Sequence, residues 1–179
     1  MPKSLLSFIF VFLILISWLY AEHQKQKELQ ALNPTPLPEF SLANLNNEMT
    51  PISKWRGKIL IINFWATWCP SCLEEIPDFI ELQSEYTDKN VQFIGIAIDN
   101  LESVNDYLAF TEINYPILMA EKEGQLLAKK LGNIVNAVPF TVIVNTDNNI
   151  ILHHAGELSK EKIRKFIEPL TSLKEQSPR

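Results

Sequence analysis

Two near-continuous apolar runs dominate the middle of the chain, Lys58–Ala66 (KILIINFWA) and Val91–Ile98 (VQFIGIAI). Runs of strand length with so little polar alternation predict strands covered on both faces. Tyr115–Met119 (YPILM) reads as a shorter strand, and PFTVIVN and NIILHHA read as two antiparallel strands joined by a hairpin turn at Thr146–Asn149. Upstream, residues 39–58 suggest short strands around a turn at Asn46 and Asn47, with Gly57 punctuating the approach to the first long strand. Between the strands the apolar period changes to that of a helix. One helix is expected from Pro70 to about Glu85. A second carries Val104, Tyr107, Leu108 and Thr111 at helical spacing, and a third runs from about Glu123 and stops at Gly132. Ser159 can cap a last helix whose Ile163, Phe166, Ile167 and Leu170 form one stripe. Strands alternating with helices, then a hairpin and a closing helix, predict an α/β domain with helices on both faces of a central sheet.

The first residues have a different character. Leu5–Ala21 (LLSFIFVFLILISWLYA) contains two serines and no charge, and as a helix it is just long enough to cross a bilayer core. It has almost no polar face, which argues against a buried core helix. A cleaved signal peptide would have a shorter apolar region and a small residue where Leu19 stands before Ala21. A retained anchor fits better, with Lys3 on the cytoplasmic side and Trp18 and Tyr20 at the outer interface. Either way the rest of the chain is delivered across the membrane, where disulfides persist. Residues 22–36 read as a linker, polar at first and then extended through PTPLP; residues 37–171 as one domain; and residues 172–179 as a frayed tail. With 16 basic against 21 acidic residues and a net charge of −5, the chain offers no basic stripe for nucleic acid.

The candidate chemistry lies in FWATWCPSCLEEIP, which holds both cysteines of the chain. Pro70 lacks an amide hydrogen and has a preset φ, so it suits the first helical position and places Cys69 at the N-cap. Unpaired amides and the positive end of the helix dipole stabilise a thiolate there, which makes Cys69 the candidate nucleophile. Cys72 lies one turn on, on the same face, and would act as the resolving thiol. A structural disulfide would close too small a loop to constrain the unfolded chain much. A structural zinc site needs four ligands, and beyond the thiols the chain offers His23, His153 and His154 plus carboxylates. His153 and His154, adjacent in a strand, would point to opposite faces and read as ordinary strand residues. Copper(I) carriage by the two thiols stays open as an alternative role, because soft thiolates suit that ion.

NFWATWCPSCLEEIP resembles the active-site segment of the thioredoxin superfamily: an aromatic strand end, Trp-Cys-x-x-Cys, and a helix bent by a proline, here Pro77. The resemblance spans roughly residues 37–170 and is closest to the membrane-anchored, extracytoplasmic TlpA/ResA-like branch, which includes the cytochrome c maturation reductases. It implies a thioredoxin-like α/β fold: a central mixed sheet flanked by helices, N-terminal strands before Trp55–Lys58, and a helix-strand insert at Asn100–Met119. It further implies that Asn63 stands where cytoplasmic thioredoxins keep a buried aspartate, and that Glu75 handles the proton of Cys72. Val138 and Pro139 would form a cis-proline loop that offers the Val138 backbone to an extended substrate segment. Trp65 reads as core and Trp68 as contact surface. Phe140, where many relatives have threonine, would either enlarge that surface or pack inward.

The implied activity is thiol:disulfide oxidoreduction, in the direction of reducing a partner protein such as an apocytochrome c cysteine pair or metal-site thiols. The domain would sit on the extracytoplasmic (periplasmic) side of the inner or cytoplasmic membrane and draw electrons from a membrane donor protein, with no cofactor and no resident metal. A disulfide oxidant would use the same residues at a higher potential. A peroxidase would need Pro-x-x-x-Thr/Ser-x-x-Cys, and those positions hold Ile62 and Ala66 before Cys69, and Trp65 and Cys69 before Cys72.

Overall fold

The structure, a computed structural model, describes residues 35–175 together with Phe12, residues 15–20 and Glu22. The chain separates into two units, Met1–Thr35 and Pro36–Arg179. In the first, residues 15–20 are helical; most of the expected anchor and of the linker lies outside the described residues. Among the described residues, no helix is long and apolar enough to cross a membrane.

An eight-stranded mixed sheet organises the second unit. Its strands are β1 (Thr35–Pro36), β2 (Ser41–Asn44), β3 (Met49–Pro51), β4 (Ile59–Trp65), β5 (Val91–Ala97), β6 (Ile117–Met119), β7 (Phe140–Val144) and β8 (Asn149–Ala155). They run in the order β1-β8-β7-β4-β5-β6-β2-β3. The strands β4, β5 and β6 are parallel, while β7 lies antiparallel to β4, β8 to β7, and β2 to both β6 and β3. The helices are α1 (Pro70–Tyr86), α2 (Leu101–Leu108), α3 (Gly124–Lys130) and α4 (Lys160–Glu175). This is the mixed sheet with N-terminal strands and a helix-strand insert that the resemblance implied. The insert's strand β6 joins the N-terminal hairpin to the central strands.

Every residue of β4 is buried, and its alternation divides the core in two. Ile59, Ile61 and Trp65 face the layer containing Phe79 and Leu82 of α1 and Ile163 and Ile167 of α4. Leu60, Ile62 and Phe64 face the layer containing Leu127 and Leu131, with Leu42 and Trp55 from the N-terminal segment. Asn63, the one polar residue of β4, falls by this period on the α1/α4 side. Burying residues of this kind stabilises by roughly 1.5–3 kcal/mol each. Ion pairs from Lys160 to Asp78 and Glu81, and from Arg164 to Glu85, tie α4 to α1 at the surface.

Three local expectations are revised. The helix of the insert stops at Leu108, with Ala109 as its C-cap, so Thr111 belongs to the segment that carries the chain to β6. The pairing of β6 with β5 and β2 sets that limit, and nothing local in the sequence marks it. Strand β6 begins at Ile117 and not at Tyr115, since Pro116 has no amide to give the ladder and contributes only its carbonyl, to Gly95 N–H. The last helix continues to Glu175, beyond its apolar stripe.

Candidate functional site

The site forms where β4 ends and α1 begins. The turn between them is held by Asp99 at the end of β5, whose Oδ2 accepts from Thr67 N–H at 3.0 Å and from the Thr67 hydroxyl at 2.6 Å. Ile98 N–H also donates to Trp65 O at 2.8 Å. This bracing leaves Trp68 projecting, 64% exposed, beside the first cysteine. Trp65 is buried in the core.

Cys69 is the N-cap of α1 and Pro70 occupies its first turn. Cys69 Sγ accepts from Cys72 N–H at 3.3 Å and lies 3.6 Å from Ser71 Oγ. The two cysteines are joined as a disulfide across a Cα–Cα distance of 5.3 Å, so the structure shows the oxidised state. Cys69 is 4% exposed and Cys72 is fully buried. An incoming thiolate therefore has access only through Cys69.

Glu75 lies one turn further along α1 and is 2% exposed. Its Oε1 accepts from Asn63 Nδ2 at 2.6 Å, and its Oε2 accepts from Leu158 N–H at 3.1 Å. Burial raises the Glu75 carboxyl to about 7, with a smaller upward push from the charge of Glu157; the two hydrogen bonds pull the other way. A carboxyl that ionises near neutrality, on the face of the helix that carries the disulfide, is placed to exchange a proton there.

The Val138–Pro139 peptide bond is cis. Val138 is half-buried against both core layers, and Pro139 leads directly into β7. Phe140 packs inward, paired across from Phe64 with ring centroids 5.8 Å apart. It therefore adds nothing to an outer contact surface. His153 and His154 engage backbone carbonyls, Leu131 O at 2.6 Å and Glu157 O at 2.9 Å. Among the described residues no group of three His, Cys, Asp or Glu side chains is placed to hold a metal ion.

The structure brings Cys69, Cys72 and Glu75 onto α1, with Trp68 at its mouth. It also reveals supports that sequence reasoning missed. Thr141 Oγ1 accepts from Asn63 Nδ2 at 3.1 Å, and register explains why: Thr141 sits directly opposite Asn63 in the β4–β7 pair. Asp99 could have been suspected as an acidic residue at the end of a buried parallel strand. The buried Asn133 closes the loop before the cis-proline, its side chain donating to Ala137 O at 2.7 Å and accepting from Ala137 N–H at 3.2 Å.

The profile of the family described as Redoxin matches residues 33–167. The thiol-disulfide oxidoreductase ResA of Bacillus cereus is 25% identical over 177 residues, covering 96% of this chain and 99% of its own. The thioredoxin-like protein YneN of Bacillus subtilis is 28% identical over 155 residues, covering 84% and 88%. Among solved structures, a thiol:disulfide interchange protein of the thioredoxin family from Chlorobium tepidum superposes with a TM-score of 0.69 at 28% identity, covering 78% of this chain and 97% of that one.

Proposed function

This chain belongs to the redoxin family and is a thiol-disulfide oxidoreductase of thioredoxin-like fold; from that premise we propose that it is a membrane-tethered, extracytoplasmic reductase of protein disulfides. The observation that carries the reading is the Cys69–Cys72 pair at the N-terminus of α1 with Glu75 buried behind it. In the reduced protein the Cys69 thiolate attacks one sulfur of a substrate disulfide. A Cys69–substrate disulfide forms and one substrate thiolate leaves. Cys72 then gives its proton to the Glu75 carboxylate, and the resulting thiolate attacks Cys69 Sγ. The second substrate thiolate leaves and the bond seen here is restored, two electrons having passed to the substrate. The backbone at Val138 pairs with the substrate segment beside its disulfide, and Trp68 supplies apolar contact.

Placement across the membrane is supported by the uncharged run Leu5–Ala21, and the oxidising compartment then requires a membrane protein to re-reduce Cys69–Cys72. Substrates of the expected kind are apocytochrome c cysteine pairs or metal-site thiols. The test is a Cys72→Ala trap in cells. Partners should accumulate as reductant-sensitive mixed disulfides through Cys69 and vanish in a Cys69→Ala, Cys72→Ala double variant. Partners that are held without Cys69, or none, would sink the exchange mechanism.

A further inference from the structure

Asn63 is buried in the middle of β4, and both of its side-chain hydrogens are directed, one to Glu75 Oε1 and one to Thr141 Oγ1, while its carbonyl Oδ1 has no partner. An orphaned buried acceptor costs about 1–3 kcal/mol, so the amide's orientation is set by what it must donate to. That is the ionised form of Glu75. When Glu75 takes up a proton the arrangement no longer fits. Leu158 N–H can only donate, and a carbonyl oxygen accepts better than the hydroxyl oxygen of a carboxylic acid, so Oε2 is favoured as the acceptor and the proton is favoured on Oε1. Oε1–H then confronts the Asn63 amide, donor against donor.

We propose that Asn63 is a positioning residue for proton transfer at Glu75, and that its side-chain amide turns by 180° as Glu75 is protonated. The turn exchanges two groups of nearly equal size and needs no extra volume. Oδ1 then accepts from both the Glu75 carboxyl and the Thr141 hydroxyl, which rotates from acceptor to donor. Both contacts persist with reversed polarity, and the orphan passes from Oδ1 to Nδ2. The bond to the carboxylate is charge-assisted and the stronger of the two, so the turn reduces the amide's preference for ionised Glu75 without cancelling it. This rests on the reading of Glu75 as the proton acceptor for Cys72. The other ionisable groups coupled to Glu75 are Glu157 and Tyr115. The Tyr115 hydroxyl is held protonated because burial lifts it far above its ordinary range.

The test follows the Glu75 carboxyl carbon and the Asn63 side-chain amide by NMR in the full-length protein between pH 5 and 9. The two should titrate together, the amide protons losing their proximity to both the Glu75 carboxyl and Thr141 as the carboxyl takes up its proton. In Asn63→Leu, which keeps the branched shape and the number of heavy atoms and removes the donor to the carboxylate, the Glu75 titration should move up by about one pH unit, a tenfold change in proton affinity. Glu75 titrating while the Asn63 amide stays fixed, or an Asn63→Leu variant of unchanged titration, overturns the proposal and leaves the role of Glu75 standing. A Glu75 that does not titrate in this range removes the proton-transfer reading itself.

Discussion

At the scale of single residues, Glu75 couples stability to pH with a definite sign. Its carboxyl is raised in the fold from an ordinary value near 4.5 to about 7. Between those values the folded protein holds a proton that the unfolded chain has released, so stability falls as pH rises. The stabilisation linked to this proton is fully present below about 4.5 and lost as pH passes through about 7. The whole effect is on the order of 3 kcal/mol. Glu75→Gln, which cannot ionise, should lack that slope, so urea unfolding of the two oxidised proteins at pH 4.5 and pH 8 should show the variant gaining on the wild type at the higher pH. Equal slopes would mean that Glu75 is ionised at the same pH folded and unfolded. The same substitution removes the proton acceptor for Cys72. Turnover at neutral pH should drop by about 10²-fold or more, with the Cys69 mixed disulfide accumulating. Turnover within a few-fold of wild type would leave Glu75 a structural residue.

At the scale of elements, legibility in the sequence tracked locality. The strands β4 and β5 and the helix α1 were readable because burial on both faces and the Cys-Pro start are written in consecutive residues. Partners that meet only through the fold were not. The Glu75 carboxylate finds Leu158 N–H 83 residues away, and Asn63 meets Thr141 across 78. No local pattern could indicate that Phe140 turns inward, because this depends on Phe64 opposite it in β4. The end of α3 was legible, since Gly132 adopts φ +102°, a conformation that favours glycine. A Cβ at Gly132 would also stand 2.5 Å from His153 Nδ1. Gly132→Ala should therefore cost about 1–3 kcal/mol in chemical denaturation. Adding His153→Ala should recover part of that loss, because it relieves the clash and leaves the backbone strain. Full recovery would show that only the ring contact matters, and no loss at all would show that the loop accepts another conformation.

At the scale of the whole molecule, the direction of electron flow is the difference in stability between the oxidised and reduced folds, to which two features of α1 contribute with opposite sign. The helix N-terminus favours a thiolate at Cys69, which stabilises the reduced protein and raises the reduction potential. An ionised Glu75 behind the pair disfavours that negative charge and lowers it. If the protein works as a reductase, the second effect has to keep the potential well below that of a strong oxidant, which stands at about −120 mV. Equilibration with glutathione buffers at pH 7.5 should accordingly give a midpoint more negative than about −200 mV. Glu75→Gln should shift it upward, each 30 mV corresponding to about 1.4 kcal/mol for this two-electron couple. A wild-type midpoint near −120 mV would reverse the assigned direction and make the protein an oxidant. Stoichiometric copper(I) binding by a dithiol that fails to reduce a protein disulfide would assign it to metal carriage. The geometry of Cys69 and Cys72 is common to all three roles, so it is the charge placed behind them that the measurement weighs.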